Sequence, residues 1–349
     1  MSLRFIYGRA GSGKNHFCFQ DMKSKLEKGE NDLILLVPED FSFQAEKDLL
    51  NFIGEKGLLH ARVLSFKRMA YMAFSMIGGL NRSHIDNAGK AMLIYRIMDE
   101  CKEGFKVFKR SVKMQGFVNT ISDIITELKT YDVDPGMLEN VANKIDDDIL
   151  KDKLHDIEVI YSDFEDTLHK KYIDQDDDLT LLSQKLDKSS LFDGCEIWVD
   201  GFSVFTPQQY DILGKLLKKA KRVNITLCMD CSGDVTPAGT DVFLPIENIE
   251  KKMLEIAREN NVPYDNPVKL NDKESFKFKN HPELCHLERN IFSYPYSRYL
   301  NKTSHISIFK AASRYSEVEN TARDIISLVR DEKFRFCDIA VVTNDVEGY

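Results

Sequence analysis

The sequence predicts an α/β fold built on a parallel sheet and interrupted by a large helical insertion. Short apolar runs such as residues 33–37, of the kind found in strands buried on both faces, alternate with segments of helical periodicity. The first apolar run leads through a glycine-rich loop into a helix, the order in which a parallel sheet presents a phosphate-binding loop. Residues 86–188 show helical periodicity only.

The N-terminal segment predicts three strands, each followed by a helix. The apolar residues Phe5, Ile6 and Tyr7 form the first strand, and Ser65 is placed to cap the third helix. The predicted elements are the strand ending at Tyr7, a helix at 15–28, a strand at 33–37, a helix at 42–52, a strand at 62–64 and a helix ending at Met76.

The middle of the chain predicts a group of packed helices. Aliphatic stripes with helical spacing occur within 91–98, 117–128 and 154–168, and stripes of this kind pack into a core. The acidic run from Asp174 to Asp178 is most simply a solvated loop or a helix start and not a metal site.

Strand signals return after the insertion. The predicted elements are strands at 196–200 and 223–227 and helices at 207–219 and 246–260, whereas 261–279 has no clear pattern. A last strand, helix and strand follow, at 306–310, 316–330 and 339–342. Because two strands are too few to bury their own faces, we expect the chain to be the N-terminal part of a longer protein.

These elements predict the domain organisation. A chain of 349 residues has room for about two to three domains. The predicted units are an α/β domain made of 1–85 and 189–235, the helical insertion at 86–188, a connecting segment at 236–304 and the start of a second α/β domain at 305–349.

The composition is that of a soluble globular protein. Hydrophobic residues make up 43% of the chain, and no apolar run approaches the roughly 18 residues of a membrane-spanning helix. The formal net charge of −8 opposes indiscriminate coating of nucleic acid but allows a local basic groove. The seven cysteines include one close pair, Cys228 and Cys231, and favour a reducing cytoplasm over a disulfide framework or a metal site. We therefore expect a cytoplasmic protein without a membrane partner.

The glycine-rich loop carries the clearest chemical signal. The pattern G-x-x-x-x-G-K-[ST] surrounds nucleotide phosphates with backbone N–H groups, places the lysine on the β- and γ-phosphates and uses the final hydroxyl for Mg²⁺. Gly8, Gly13 and Lys14 are in register, but Asn15 stands at the hydroxyl position, where its amide oxygen is a weaker Mg²⁺ ligand. The candidate ATP-binding residues are Gly8, Arg9, Ala10, Gly11, Ser12, Gly13, Lys14 and Asn15.

Asp200 is the candidate for the second acid of such a site. An ATPase of this type holds Mg²⁺ through water with an acid at the end of a neighbouring strand, and Asp200 ends the strand predicted at 196–200. In helicase-type motors the next residue is a glutamate that orients the attacking water, and here it is Gly201. Losing a water-positioning group costs orders of magnitude in rate. The residues predict nucleotide binding with weak or absent hydrolysis, and a purely structural role for Asp200 stays open.

Six strings of this sequence share one resemblance. They are residues 8–14, 36–46, 63–70, 200–208, 286–292 and 339–343. Together they resemble AddB, the family of B subunits of bacterial AddAB (RexAB) helicase–nucleases, over nearly the whole chain. The string PEDFSFQAE at 38–46 is far more specific than the loop alone. The family usually has a hydroxyl residue where Asn15 stands.

The resemblance implies a fold and a division of labour. It implies two RecA-like domains of the superfamily 1 helicase type, with 86–188 as a 1B-like insertion between the parts of domain 1A and 305–349 as the start of domain 2A. It also implies an inactive motor that binds ATP and Mg²⁺, beside an AddA-like partner subunit that translocates. The implied role is processing of double-strand DNA breaks for recombinational repair, with scanning for the Chi sequence. A nuclease domain with a 4Fe-4S cluster is implied beyond Tyr349.

The resemblance implies candidate contacts to DNA, both single strands and duplex ends. Ser65, Phe66, Lys67 and Arg68 resemble a helicase motif that touches single strands, and another such motif contains Phe41 and Phe43. Aromatic faces that stack bases and basic side chains on phosphates are what single-strand binding uses. For the three phenylalanines, a place in the core is an equal alternative.

Two other functions stay open. An active superfamily 1 DNA helicase would need a catalytic acid elsewhere to replace the one missing after Asp200. A P-loop small-molecule kinase is opposed by the large insertion and by the second α/β block.

Overall fold

The chain forms two compact units, residues 1–277 and 278–349. The computed structural model describes residues 1–54, 59–78, 83–230, 242–270, 276–346 and 348–349. Each unit is described by itself.

A six-stranded parallel sheet is the frame of the first unit. The strands of the described residues are β1 (Leu3–Tyr7), β2 (Leu33–Leu36), β3 (Ala61–Leu64), β4 (Ser83–Ile85), β5 (Tyr172–Asp174), β6 (Glu196–Val199), β7 (Arg222–Leu227) and β8 (Val268–Lys269). The large sheet has the order β3-β2-β6-β7-β1-β8, and all its pairings are parallel. The predicted α/β class is therefore confirmed.

The helices agree closely with the periodicity of the sequence. In the described residues they are α1 (Lys14–Glu27), α2 (Ser42–Ile53), α3 (Phe66–Ile77), α4 (Asn87–Cys101), α5 (Gln115–Thr130), α6 (Pro135–Ala142), α7 (Asp148–Lys171), α8 (Asp178–Leu186), α9 (Pro207–Leu217), α10 (Leu244–Glu259), α11 (Pro282–Asn290) and α12 (Arg314–Asp331). The Ser65 hydroxyl accepts a hydrogen bond from the backbone N–H of Arg68, as predicted for the cap of α3. Among these helices, none is both long and apolar enough to cross a membrane.

The sheet is buried on both faces, as its continuous apolar strands predict. In β2, Ile34 and Leu36 belong to the core on one face, whereas Leu33 and Leu35 belong to the core on the other. This alternation follows from the two-residue period of a strand. The single tryptophan, Trp198, is fully buried on the second face.

The helical insertion has its own core, built from α4, α5, α6 and α7. Its two connections to the sheet, β4 and β5, pair with each other in parallel, which the sequence did not predict because three-residue strands carry too little pattern. Helix α8 lies inside the predicted insertion range, yet its Leu182 and Leu186 are part of the sheet's core.

Of the two alternatives predicted for the acidic run at 174–178, the solvated loop is wrong, because the first and last residues of the run are buried. Asp174 is 3% exposed and Asp178 is 2% exposed. Lys90 of α4 and Lys129 of α5 reach Asp174 from the insertion and supply the opposite charge that its burial needs. The expectation of a helix start is confirmed, since Asp178 is the first residue of α8.

In the second unit, the predicted helix is present and the two predicted strands are not. Helix α12 covers the segment predicted at 316–330. Neither 306–310 nor 339–342 is a strand, since neither forms a ladder with another described segment. A strand needs such a hydrogen-bonding neighbour, and the side chains of Ile308 and Val342 are almost fully exposed.

Candidate nucleotide and nucleic-acid site

Four segments that are separated in sequence meet at one edge of the sheet. The segments that follow β1, β2, β3 and β6 all leave the carboxyl ends of parallel strands, where open α/β sheets bind ligands. Leu36 at the end of β2 stands opposite both Leu64 and Val199, so three of these loops begin at the same level. The fourth, the glycine-rich loop, follows Tyr7 of β1.

The glycine-rich loop has the backbone of a phosphate cradle. A Cβ atom on Gly8 would lie 2.2 Å from the Ser12 hydroxyl oxygen and 3.2 Å from the Leu270 Cβ atom, so a larger residue here would require these side chains to shift. Gly13 has a φ of 91° and stands immediately before α1, in the left-handed region that glycine adopts without strain. The N–H groups at the start of α1 are thereby available to an anion at the loop.

The lysine and serine side chains of the loop also fit a phosphate ligand. The Lys14 ammonium donates to the carbonyl oxygens of Gly8, at 2.7 Å, and Arg9, at 3.0 Å, which keeps its charge inside the loop. The Ser12 hydroxyl oxygen is buried and has no hydrogen-bond partner among the described residues. A nucleotide phosphate would offer both groups a partner of suitable charge.

Two residues far along the chain lie against this loop, and sequence reasoning missed them. The backbone N–H of Lys277 donates to the carbonyl of Gly11 at 2.8 Å. The Phe276 ring packs against Gly13 and stands 4.9 Å from the ring of His16. No pattern marks residues 261–279 in the sequence, so only the tertiary structure reveals this contact.

Asn15 and Asp200 line one small cavity of about 260 Å³, whose other walls come from α1, β2, the segment after β2, and α2. The Asp200 carboxylate accepts a hydrogen bond from Thr226 at 2.6 Å and is almost fully buried. Burial raises the pKa of Asp200 above its ordinary value, against the opposing effects of Thr226 and the Lys14 charge. The two oxygen-bearing side chains, an amide and a carboxylate, are of the kind that could hold Mg²⁺ beside a nucleotide.

A larger cleft of about 640 Å³ opens beside this cavity. Its walls are the segments after β2, β3 and β6 together with the root of the insertion. The residues that line it are Val37, Pro38, Glu39, Phe41, Ser65, Phe66, Lys67, Thr130, Asp176, Asp178, Leu179, Gly201, Phe202, Ser203, Val204, Thr206, Gln208 and Gln209. The small cavity and the cleft share four lining residues, Val37, Pro38, Phe41 and Gly201. These residues form the wall between the two.

The structure places the candidate DNA contacts in different environments. Phe41 is 62% exposed and lines the cleft, and Lys67 is exposed on the same wall. Phe43 is 77% exposed and is not part of the cleft lining. Phe66 is only 5% exposed and packs on Phe202, so its ring offers no free face to a base.

Ser65 and Arg68 have structural partners. Ser65 caps α3 and donates a hydrogen bond to Glu39. Arg68 forms a partly exposed ion pair with Glu46 at 3.1 Å. The cleft wall therefore presents Phe41, Lys67 and the partly buried Phe202, of which sequence reasoning named the first two.

A buried ionic network fixes the insertion beside the cleft. Lys129, 3% exposed, contacts Glu165 at 2.7 Å, Asp177 at 2.8 Å and Asp174 at 3.4 Å. Lys90 lies 3.0 Å from Asp174 and also reaches Asp176. Because charges buried at this depth need close partners, the network ties the helices of the insertion to the segment that leads into α8.

In the part of the chain that the structure describes, no group of three or more His, Cys, Asp or Glu side chains could hold a metal ion. Cys231, one member of the close cysteine pair, lies outside the described residues. Cys228 has a free thiol.

Comparison with known proteins identifies the family. The family model described as "ADDB, N-terminal" matches residues 5–288. Proteins named as the B subunit of an ATP-dependent helicase/deoxyribonuclease are 51% identical in Clostridium botulinum (strain Loch Maree / Type A3), 50% in Clostridium tetani and 49% in Clostridium acetobutylicum. Each match covers 100% of this chain, and the chain spans 31%, 31% and 30% of the length of these relatives. The resemblance to AddB is confirmed, and the chain belongs to the family of AddB N-terminal regions.

Proposed function

We propose that this chain is the helicase-like part of the B subunit of an ATP-dependent helicase/deoxyribonuclease, with a motor that binds nucleotide but does not turn it over. The observation that carries the proposal is that the helicase-like segments after β1, β2, β3 and β6 meet at one edge of the sheet. Gly201 stands there at the position of the water-orienting acid. The arrangement is consistent with a RecA-like domain of the superfamily 1 type.

Nucleotide binding and hydrolysis depend on different groups in this site. The glycine-rich loop, Lys14 and the start of α1 suffice to hold the phosphates of ATP. Hydrolysis further needs a metal ligand and a group that orients water. Asn15 and the buried, Thr226-bonded Asp200 make a weak Mg²⁺ site, and Gly201 supplies no side chain for the water.

The cleft is the proposed DNA site. Its size suits a flexible single strand with a base turned toward the wall, and Phe41 presents an exposed aromatic face at its edge. Lys67 provides a cation for the phosphate backbone on the same wall. These local contacts can hold a DNA strand even though the net charge of the whole chain is −8.

The remaining activities belong to other parts of the proposed complex. An AddA-like subunit would translocate on DNA, and a C-terminal region with a 4Fe-4S cluster would cut it. In this assembly, working in the cytoplasm on duplex ends, the present chain would hold the single strand during the processing of double-strand breaks.

Single-strand binding tests the proposed cleft. We expect Phe41→Ala to weaken binding of a fluorescein-labelled (dT)15 oligonucleotide by about 5- to 100-fold, because an aromatic–base stack contributes about 1–3 kcal/mol. Lys67→Ala should lower the slope of log affinity against log salt by about 0.7, the value for one phosphate contact on a single strand. Fluorescence anisotropy at several salt concentrations measures both effects.

The control is Tyr95→Ala, which removes an exposed aromatic ring from α4, outside the residues that line the cleft. It should bind the oligonucleotide like the wild type. Equal affinity of the Phe41 and Tyr95 variants, with an unchanged salt slope for Lys67→Ala, would show that the strand does not lie in the cleft.

A further inference from the structure

Three rings form a cluster beside the glycine-rich loop, and no part of the proposed function uses them. They belong to His16 on α1, to Phe52 on α2 and to Phe276. The centroid of the His16 ring lies 4.9 Å from that of Phe276 and 5.2 Å from that of Phe52, whose plane is almost perpendicular to it. Ring contacts with two neighbours therefore hold His16 in place at the first turn of α1.

Phe276 is fixed against the loop and is nevertheless exposed. The backbone N–H of the next residue, Lys277, donates to the carbonyl of Gly11 at 2.8 Å. The Phe276 side chain packs on Gly13, where three of its atoms lie 3.1–3.3 Å from the position of a Cβ atom. Phe276 is still 60% exposed. An aromatic ring that is held in place and faces solvent is a ready surface for a flat ligand.

The direction in which a nucleotide lies in the loop follows from the position of the metal-ligating side chains. In loops of this type the lysine contacts the β- and γ-phosphates, and the metal ion lies at the same end of the ligand. The side chains suited to that ion, those of Asn15 and Asp200, line the small cavity. Neither His16 nor Phe276 lines it. The γ-phosphate end therefore points toward the cavity, and the ribose and base leave the loop elsewhere.

The start of α1 carries the other end of the ligand toward the rings. The first N–H groups of an α-helix have no acceptor within the helix. In α1 these groups extend to His16, because the N–H of Phe17 already donates to the carbonyl of Gly13 at 2.9 Å. A phosphate that accepts from them places the attached ribose and base beside His16 and Phe276.

Ring faces hold a base without reading its edges. Every base has a π-face, so stacking tolerates changes in the exocyclic groups, and preferences among bases come from the strength of stacking. Adenine and guanine each have two fused rings, whereas cytosine and uracil have one. A site of this kind thus favours purines over pyrimidines and treats the two purines alike.

We propose that His16 and Phe276 form the nucleobase platform of the nucleotide site, and that the site takes purine nucleoside triphosphates as a class, GTP as readily as ATP. The proposal rests on the proposed nucleotide binding in the glycine-rich loop and names the ligand class of that site. The loop and Lys14 hold the phosphates, and Phe276 presents its exposed surface to the base. Phe52 packs against His16 and fixes that ring.

The test displaces an ATP analogue, labelled on its ribose, with ATP, GTP, UTP or inorganic tripolyphosphate, which has phosphates and no base. Inhibition constants are corrected for the affinity of each variant for the analogue. The wild type should bind ATP and GTP about equally, UTP more weakly and tripolyphosphate most weakly. Phe276→Ala should weaken binding of ATP and GTP by about 5- to 100-fold, the range for losing one aromatic–base stack, and leave tripolyphosphate unchanged.

Two further variants separate stacking from a structural role of the ring. Phe276→Trp keeps an aromatic face and should bind ATP and GTP at least as tightly as the wild type. Tyr95→Ala removes an exposed ring from α4 and should bind all four ligands like the wild type. Thermal melting reports the folding of each variant.

The outcomes distinguish this inference from the proposed function. If Phe276→Ala binds ATP and GTP like the wild type, or loses tripolyphosphate in equal measure, the ring holds no base and the loop remains a phosphate site. Tighter binding of all four ligands by Phe276→Ala would show that the ring covers the loop, which also overturns the platform. A wild type that binds ATP but not GTP would overturn the ligand class. Failure of the folded wild type to bind any of the four would overturn both proposals.

Discussion

Replacing Lys129 with methionine should lower the free energy of unfolding by about 3–5 kcal/mol, the cost of removing one partner from a buried ion pair. The variant would leave Glu165 and Asp177 without the cation that they contact at 2.7 and 2.8 Å. Although burial opposes it, the charges of Asp177 and Glu165 raise the pKa of Lys129 above its ordinary value. Urea denaturation followed by circular dichroism measures the loss.

Lys153→Met is the matched control, because it makes the same change at an exposed position of α7. Its urea midpoint should stay close to that of the wild type. If the two variants have equal midpoints, the network at Asp174 and Asp177 does not hold the insertion in place.

Replacing Lys14 with alanine should weaken the binding of a labelled ATP analogue by about 10- to 100-fold. The reason is the loss of charge-assisted hydrogen bonds to phosphate, each of which contributes about 1.5–3 kcal/mol. Titration of the analogue by fluorescence measures the affinity directly and does not depend on hydrolysis.

Lys28→Ala controls for the change in net charge, because Lys28 is exposed and stands at the opposite end of α1. We expect it to bind the analogue like the wild type. An unchanged affinity of Lys14→Ala would mean that the loop keeps the sequence of a phosphate cradle without its function.

Local patterns were enough to predict most of the sheet and the position of the nucleotide loop. Runs such as 33–37 are apolar at every position because both faces of β2 are covered, and this is visible in the sequence itself. The cap at Ser65 and the turn at Gly8 likewise depend on residues within four positions of each other. Patterns among residues so close in sequence can be recognised without knowledge of the tertiary structure.

The features that were missed depend on distant partners. The acids at 174–178 are charged, which predicts exposure, and only the arrival of Lys90 and Lys129 from two other helices reverses it. The strands predicted at 306–310 and 339–342 fail for the related reason that a strand is defined by its neighbour.

The DNA-contact candidates show the same limit within two short strings. Phe41 and Phe66 both lie in helicase-like strings, and both are aromatic residues next to a serine. The first is exposed at the cleft, whereas the second is the first residue of α3 and points into the core. Local sequence does not distinguish the two residues, because it is the packing of α3 on the sheet that buries Phe66.

We propose above that this chain binds nucleotide and single-stranded DNA but does not hydrolyse ATP. Single-turnover hydrolysis of radiolabelled ATP by excess chain, with Mg²⁺ and with or without (dT)15, tests it most directly. We expect the ATP analogue and the oligonucleotide both to bind while ATP stays intact over many minutes, with or without DNA. Rapid hydrolysis that DNA accelerates, and that Lys14→Ala abolishes, would contradict it.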